Sequence, residues 1–226
     1  IGGTAKEARN VISGHSGSTA SGIEIKTTGA NNNSIQGNFI GTDITGTAAI
    51  GNYNGVKANI TSGTSITGTG IGGSTPTPGT APGNLISGNG NDGIFLGGGS
   101  VGAATIAGNL IGLNVTGTTA LKNSAYGVEI TSGAHDIVVG GTTTGLRNVI
   151  SANAGSFSAN VGVASSGTKN NTIQGNFIGT DITGAVAIGG GGDGIVVKGG
   201  AVGTTIGGVT AVAGTAPGNV IAGHVT

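Results

Sequence analysis

The feature that most constrains this chain is a long internal repeat. The tripeptide Ile1-Gly2-Gly3 returns in closely related form at residues 71–73, 139–141 and 206–208, in steps of 70, 68 and 67 residues. A longer string also recurs: residues 34–46 read SIQGNFIGTDITG, residues 105–117 read TIAGNLIGLNVTG, and residues 172–184 read TIQGNFIGTDITG. Repetition of this kind is typical of solenoids, in which each unit buries its apolar face against its neighbours.

Each long repeat contains two rounds of three short apolar motifs. The first motif is Ile-x-Gly or Ile-Gly-Gly, and the second is Asn followed by two apolar residues. The third is Gly followed by apolar residues at alternate positions, and it begins at Gly22, Gly55, Gly93, Gly127, Gly162 and Gly194. Because these motifs are short, alternate with period two and are separated by Gly, Asn, Thr and Ser, they predict strands joined by turns.

Three strands per coil and about 35 residues per coil predict an all-β, right-handed parallel β-helix of six to seven coils. Right-handed crossovers are the general preference for parallel strands. We expect a single domain over residues 1–226, with long repeats at roughly 1–70, 71–138 and 139–205 and a partial one at 206–226.

Equivalent residues should then form columns along the solenoid. The isoleucines expected inside are Ile12, Ile35, Ile40, Ile86, Ile106, Ile111, Ile150, Ile173, Ile178 and Ile221. The asparagines of the second motif should stack as a ladder at one corner: Asn10, Asn38, Asn84, Asn109, Asn148, Asn176 and Asn219. Stacked amides can hydrogen-bond along such a column, which favours a structural role.

The residue after each ladder asparagine is apolar. If the isoleucine that follows it points inward, period-two alternation turns this residue outward. The outward stripe would be Val11, Phe39, Leu85, Leu110, Val149, Phe177 and Val220. Such a stripe predicts a surface for self-association or for packing against another part of the protein, unless the corner tucks both residues inside.

Composition excludes several classes of function. The net charge is zero and only 7% of residues are charged, so nothing favours nucleic acid or an anionic membrane as a partner. No apolar run is long enough for a transmembrane helix, and there is no cysteine to bind metal. Glycine is abundant, but its regular placement argues against disorder.

The acidic residues do not predict a catalytic site. The outer column of the third strand is expected to read Glu24, Lys57, Phe95, Glu129, Ala164 and Val197. Glu24 and Lys57 should form a surface ion pair, while Glu129 would lie too far from Glu24 for a carboxylate pair. Asp43 and Asp181 occupy matching Gly-Thr-Asp loops, where Ca²⁺ binding is the alternative to a turn-making role. No cofactor is otherwise expected.

The recurring IxGNxIGTDxTG, GVxI, IGGT and NVISG strings resemble those of the bacterial right-handed parallel β-helix repeat proteins, a group that includes pectin-lyase-like folds. The resemblance covers essentially the whole chain and implies an extracellular or cell-surface location. We expect a non-catalytic structural or adhesive segment of a surface protein, or a fibre-forming subunit. The expected partners are further copies of the chain, end to end or side by side, the remainder of a longer chain, or surface glycans. The alternative is a carbohydrate-active or glycan-binding β-helix, because this fold serves both functions.

Overall fold

The computed structural model describes residues 1–60, 65–153, 155 and 158–225. Over these residues the chain is all-β, with two single-turn 3-10 helices, Lys6–Ala8 and Thr144–Leu146, and no α-helix. Parallel strands stack as a β-solenoid of about 5 turns with roughly 34 residues per turn, which confirms the predicted fold class. Five coils contain all three strands, and one incomplete coil lies at each end, so the predicted six to seven coils include the incomplete ones.

Three parallel sheets run along the solenoid. The first contains β3 (Ser34–Ile35), β7 (Gly70–Gly72), β11 (Thr105–Ala107), β14 (Val138–Gly140), β17 (Thr172–Gln174) and β21 (Thr205–Ile206). The second contains β1 (Val11–Ile12), β4 (Phe39–Ile40), β8 (Leu85–Ile86), β12 (Leu110–Ile111), β15 (Val149–Ile150), β18 (Phe177–Ile178) and β22 (Val220–Ile221). The third contains β2 (Ser21–Ile25), β5 (Asn54–Asn59), β9 (Ile94–Gly97), β13 (Val128–Thr131), β16 (Ala159–Ala164) and β20 (Asp193–Lys198).

Two smaller parallel pairs complete the described strands. They are β6 (Ile66–Thr67) with β10 (Val101–Gly102), and β19 (Gly190–Gly191) with β23 (His224–Val225). The second of these pairs joins the last described residues to the coil beneath them.

The main core is a continuous column of aliphatic side chains inside the solenoid. The predicted inward isoleucines of the complete coils are fully buried: Ile35, Ile40, Ile86, Ile106, Ile111, Ile150, Ile173 and Ile178. Ile12 is half-buried and Ile221 is exposed, because each lies in an edge coil with a neighbour on one side only. Register is fixed because a shift by one residue would turn every inward side chain outward.

The predicted asparagine ladder is present, from Asn10 to Asn219. At Asn84, which represents the interior members, Oδ1 accepts the backbone N–H and the Nδ2 group of Asn38, at 3.0 and 3.1 Å. Its Nδ2 donates to Asn109 Oδ1 at 2.9 Å and to the carbonyl of Ile35 at 2.8 Å. Every polar atom of the buried amide is thus satisfied, which avoids the cost of burying it unpaired.

The predicted outward stripe is not a free surface. Phe39, Leu85, Leu110, Val149 and Phe177 are all buried and form a second apolar cluster outside the main core. Only the stripe residues of the edge coils are accessible: Val11 is exposed and Val220 is half-buried. The expectation that this stripe offers a self-association surface along the solenoid is therefore wrong for the complete coils.

Loops of the chain itself cover this second cluster. The loops at 42–49, 113–120 and 180–187 stack on one another, since Val115 N–H donates to Gly46 O at 2.9 Å and Ile182 N–H donates to Gly117 O at 2.9 Å. Two arginines cap the rings as cation–π partners, with the guanidinium of Arg9 3.9 Å from the centroid of Phe39 and that of Arg147 3.8 Å from Phe177. The apolar residues that the alternation turns outward in the five complete coils are therefore buried by the long loops between strands.

A second amide ladder, which the sequence reading missed, runs beside the third sheet. It consists of His15, Asn52, Asn89, Asn123, Asn153, Asn160 and His224. The asparagine amides bond to one another at 2.8–3.1 Å, and a histidine lies at each end. We call it the histidine-capped ladder.

Candidate functional site

The strongest chemical feature of the outer surface is a pair of carboxyl groups on the third sheet. Asp92 lies just before β9, and Glu129 lies in β13, in register with Phe95. The Asp92 side chain is buried, and its carboxyl group hydrogen-bonds to that of Glu129. Asp92 Oδ1 accepts the backbone N–H of Tyr126 at 3.0 Å, and Oδ2 accepts Asn91 Nδ2 at 3.0 Å.

Burial is the main cause of the electrostatics of this pair. Burial, and after it the nearby charge of Glu129, raise the pKa of Asp92 to about 7. Burial also raises the pKa of Glu129, while the hydrogen bond from Asp92 and the charge of Lys198 act in the opposite direction. Both shifts mean that the pair keeps a proton at higher pH than isolated carboxyl groups would.

An aromatic ring and a cation border the pair. The Tyr126 ring lies over Gly162 of the next coil, where an added Cβ would fall 2.6 Å from Tyr126 Cε1. Lys198 Nζ lies 5.9 Å from the centroid of the same ring. The absence of a side chain at position 162 allows the tyrosine ring to approach the backbone of β16 this closely.

The surface ion pair that the sequence predicts is present, with Lys57 Nζ 3.4 Å from Glu24 Oε1, and Lys26 Nζ lies 3.0 Å from Glu24 Oε2. Glu129 is separated from Glu24 by Lys57 and Phe95 in the column, in agreement with the sequence analysis. The carboxylate partner of Glu129 is Asp92, which sequence reasoning did not consider because it lies outside the strand pattern.

The register predicted for the end of this column is wrong. Gly162, not Ala164, lies beside Glu129, and Val196, not Val197, lies beside Gly162. Ala164 is wrong because β16 begins its motif at Asn160, where the other coils have glycine, and not at Gly162. Val197 is wrong because the outward residue lies two positions after Gly194, at Val196.

The two Gly-Thr-Asp loops are closed by their own hydrogen bonds. Asp43 Oδ1 accepts the N–H groups of Thr47 and Ala48, and Oδ2 accepts the Thr45 hydroxyl, which lower its pKa to about 2. Asp181 makes the same set of bonds in its own loop.

Asn114 occupies the equivalent position in the loop between them and accepts the equivalent bonds from Thr116, Thr118 and Thr119. Because a neutral amide serves as well as a carboxylate there, the loops need an acceptor and not a negative charge. This supports the turn-making interpretation of Asp43 and Asp181 over Ca²⁺ binding. No group of three or more potential metal-binding His, Asp or Glu side chains occurs among the described residues.

The carboxyl pair can hold and exchange a proton near neutral pH, but its geometry does not match glycoside hydrolysis. Retaining glycosidases place their two carboxyl groups about 5–5.5 Å apart and inverting ones about 6.5–9.5 Å apart. Here the two groups are in direct hydrogen-bond contact and Asp92 is enclosed, so no sugar oxygen or water fits between them.

In the part of the chain that the structure describes, no helix has the length and apolar character needed to cross a lipid bilayer. Comparison with protein-family models, curated proteins and solved structures gave no match to this chain. The function of the chain is therefore inferred from the solenoid and its hydrogen-bonded ladders.

Proposed function

We propose that this chain is a non-catalytic structural or adhesive β-helix of an extracellular or cell-surface protein. The observation that carries the proposal is where its polar groups are used. Two amide ladders hold successive coils in line, and the long loops satisfy their own acceptors and cover a second apolar cluster. A shaft organised in this way is suited to holding neighbouring parts of a protein at a fixed distance. The resemblance of its repeats to bacterial β-helix surface proteins supports the location.

The test is to incubate the purified chain with a panel of neutral and uronic-acid polysaccharides. Affinity electrophoresis reports binding, and assays for reducing ends and unsaturated products report cleavage. We expect no cleavage, and retention by one polysaccharide class would identify the adhesive partner. Turnover by the wild-type chain would overturn the non-catalytic assignment.

We further propose that the edge strands β1 and β22, each paired on one side only, bind further parallel strands, from a second copy or from a longer chain. Electron microscopy and sedimentation at low and high concentration test self-association. Filaments with an axial repeat of about 33 Å, which is seven strands at the usual spacing, are expected for end-to-end assembly. Isolated short rods at every concentration would exclude it.

The alternative is a carbohydrate-active or glycan-binding domain, and the observation that favours sugar recognition, though not glycoside hydrolysis, is the position of Glu129 near Lys198, which also lies beside the Tyr126 ring. Glu129→Gln should then abolish cleavage or weaken polysaccharide retention at least tenfold. Glu24→Gln on the same face is the matched control and should leave both unchanged. Equal behaviour of the two variants would remove the support for this alternative.

A further inference from the structure

The histidine-capped ladder has a direction. At each asparagine of the ladder, Oδ1 accepts two bonds from the preceding member, while Nδ2 donates to the following member. Asn123 shows this, since its Oδ1 accepts the N–H and Nδ2 of Asn89, at 3.1 and 2.8 Å, and its Nδ2 donates to Asn153 Oδ1 at 2.8 Å. In Asn52, Asn89, Asn123 and Asn153, Nδ2 also donates to a carbonyl of the preceding coil. No amide can flip alone without placing two donors or two acceptors face to face.

The two histidines therefore meet different ends of an amide. His15 Nδ1 lies 2.9 Å from Asn52 Oδ1, an acceptor, so this nitrogen must carry a proton. A histidine with a proton on Nδ1 serves whether it is neutral or charged. The hydrogen bond at the first end of the ladder therefore needs only a donor at Nδ1.

The last end of the ladder has the opposite requirement. Asn160 Nδ2 donates to His224 Nε2 at 2.8 Å, so Nε2 must be bare and the imidazole neutral. Asn160 cannot turn to accommodate a second proton, because its Oδ1 holds the N–H and Nδ2 of Asn153, at 3.2 and 3.0 Å. Protonated His224 would point an N–H group at another N–H group.

The position of His224 leaves its ring little room to move away. The ring rests on the backbone of Gly194, where an added Cβ would lie 2.9 Å from its Cε1, and His224 pairs with Gly190 in the β19–β23 pair. Protonation is therefore relieved by separating β23 from β19, since the ring and the strand are part of the same short segment.

We propose that His224 is a proton-sensitive latch, which holds the last coil through Asn160 when neutral and releases it when protonated. Among the charged groups that face it, Asp193 of β20 favours protonation, while strands β16, β19 and β22 carry no charged side chain. Gly179 also packs against the His224 ring. The nearest charged residue of that segment is Asp181, and its carboxylate is held in its own loop by Thr183. Burial lowers the pKa of His224 below its ordinary 6.5 and outweighs Asp193.

The sign of the pH dependence follows from that direction. Because the latched state binds fewer protons than the released state, its stability is present above the ordinary histidine pKa and is lost as pH falls below about 6.5. The loss continues until the lower pKa of the latched form is reached.

The experiment is amide hydrogen exchange on the full 226-residue chain between pH 7.5 and 5, corrected for intrinsic exchange rates. We expect protection at Gly190, Gly191 and Ala222 to fall about tenfold in the wild type and less than twofold in His224→Gln, whose side-chain oxygen accepts from Asn160 but does not titrate. His15→Gln is the matched control at the other end and should respond to pH like the wild type.

Nitrogen-15 NMR of the His224 ring provides a second readout that does not depend on stability. It should show a bare Nε2 at pH 7.5. A protonated Nε2 at that pH, or equal pH responses of the wild type and His224→Gln, would overturn the proposal.

Discussion

Asn160 occupies a position at which the five other strands of the third sheet have glycine. At Gly127 the reason for glycine is visible, because an added Cβ would lie 2.7 Å from Nδ2 of Asn153, the ladder member of the next coil. The coil after Asn160 has only glycine at residues 189–192 and supplies no ladder member. The Asn160 side chain fills that place, because it hydrogen-bonds to Asn153 on one side and to His224 on the other.

Asn160→Gly should therefore destabilise the protein, although it restores the glycine of the other coils. It leaves the Asn153 donors and His224 without partners, and we expect a loss of about 2–3 kcal/mol in the free energy of unfolding. Urea denaturation at pH 7.5 measures it. Asn170→Gly is the control, since Asn170 is exposed with φ of 56°, a conformation that glycine adopts readily. Equal stability of the two variants would contradict the role given to Asn160.

Asp92 should make the protein less stable as pH rises. Its folded pKa of about 7 exceeds the ordinary 3.8, so the folded state binds more protons between those values and stability falls across that range. The difference between the two pKa values corresponds to a loss of at most roughly 4 kcal/mol in the free energy of unfolding. Asp92→Asn removes the titration, and urea denaturation at pH 5 and pH 8 should show a smaller difference in the variant than in the wild type.

Glu24 provides the opposite sign as a control for that experiment. The hydrogen bond that Lys26 donates to Glu24 lowers the pKa of Glu24. The stability contributed by Glu24 is therefore present above the ordinary pKa of 4.5 and is lost as pH falls through the folded value. The difference in unfolding free energy between pH 5 and pH 8 should be nearly the same in Glu24→Gln as in the wild type. If Asp92→Asn also leaves the difference between pH 5 and pH 8 unchanged, the pKa of Asp92 is not raised in the folded protein.

At the scale of structural elements, the ladder and the loops use asparagine in different ways. Asn109 in the first ladder donates to Ile71 O, Ala107 O and Asn148 Oδ1, so it must carry an amide nitrogen. The Asn114 side chain holds its loop through bonds that Oδ1 accepts. The same substitution should therefore have different consequences in the two elements.

Asn109→Asp should lose about 3 kcal/mol or more, because a buried carboxylate would face three acceptors. Asn114→Asp should remain within about 0.5 kcal/mol, since Asp43 and Asp181 already occupy the equivalent loop positions. Thermal and urea unfolding of both variants measure the contrast. A tolerated Asn109→Asp would show that the ladder does not hold the coils.

The elements that could be predicted from the sequence are those with constant spacing. The first ladder and the inward isoleucines recur at fixed places in every coil, so their columns were predictable. The histidine-capped ladder was not, because Asn52, Asn89 and Asn123 precede the third-strand glycine by three or four residues and Asn153 precedes Asn160 by seven. Asp92 and the burial of Phe39 depend on the paths of loops, which the strand pattern does not specify.

At the scale of the whole molecule, protection from solvent should be graded along the solenoid. A coil in the middle is hydrogen-bonded on both sides, whereas the edge coils with β1 and β22 are bonded on one side only. We expect amide hydrogen exchange at pH 7.5 to be slowest in β12 and β15 and fastest in β1 and β22. Uniform protection over all coils would instead indicate that the stack opens only as a unit.

The two ladders run in the same direction, so their side-chain amide dipoles add along the solenoid axis. In a parallel sheet the backbone dipoles largely cancel, but the ladder amides all point their oxygen toward the first coil and their nitrogen toward the last. Each amide contributes a dipole of about 3.5 D, and aligned amides add. The ladders therefore add a dipole along the solenoid axis, positive toward the last coil, that opposes the excess of Lys and Arg over Glu in the first coil and of Asp over Lys after β17.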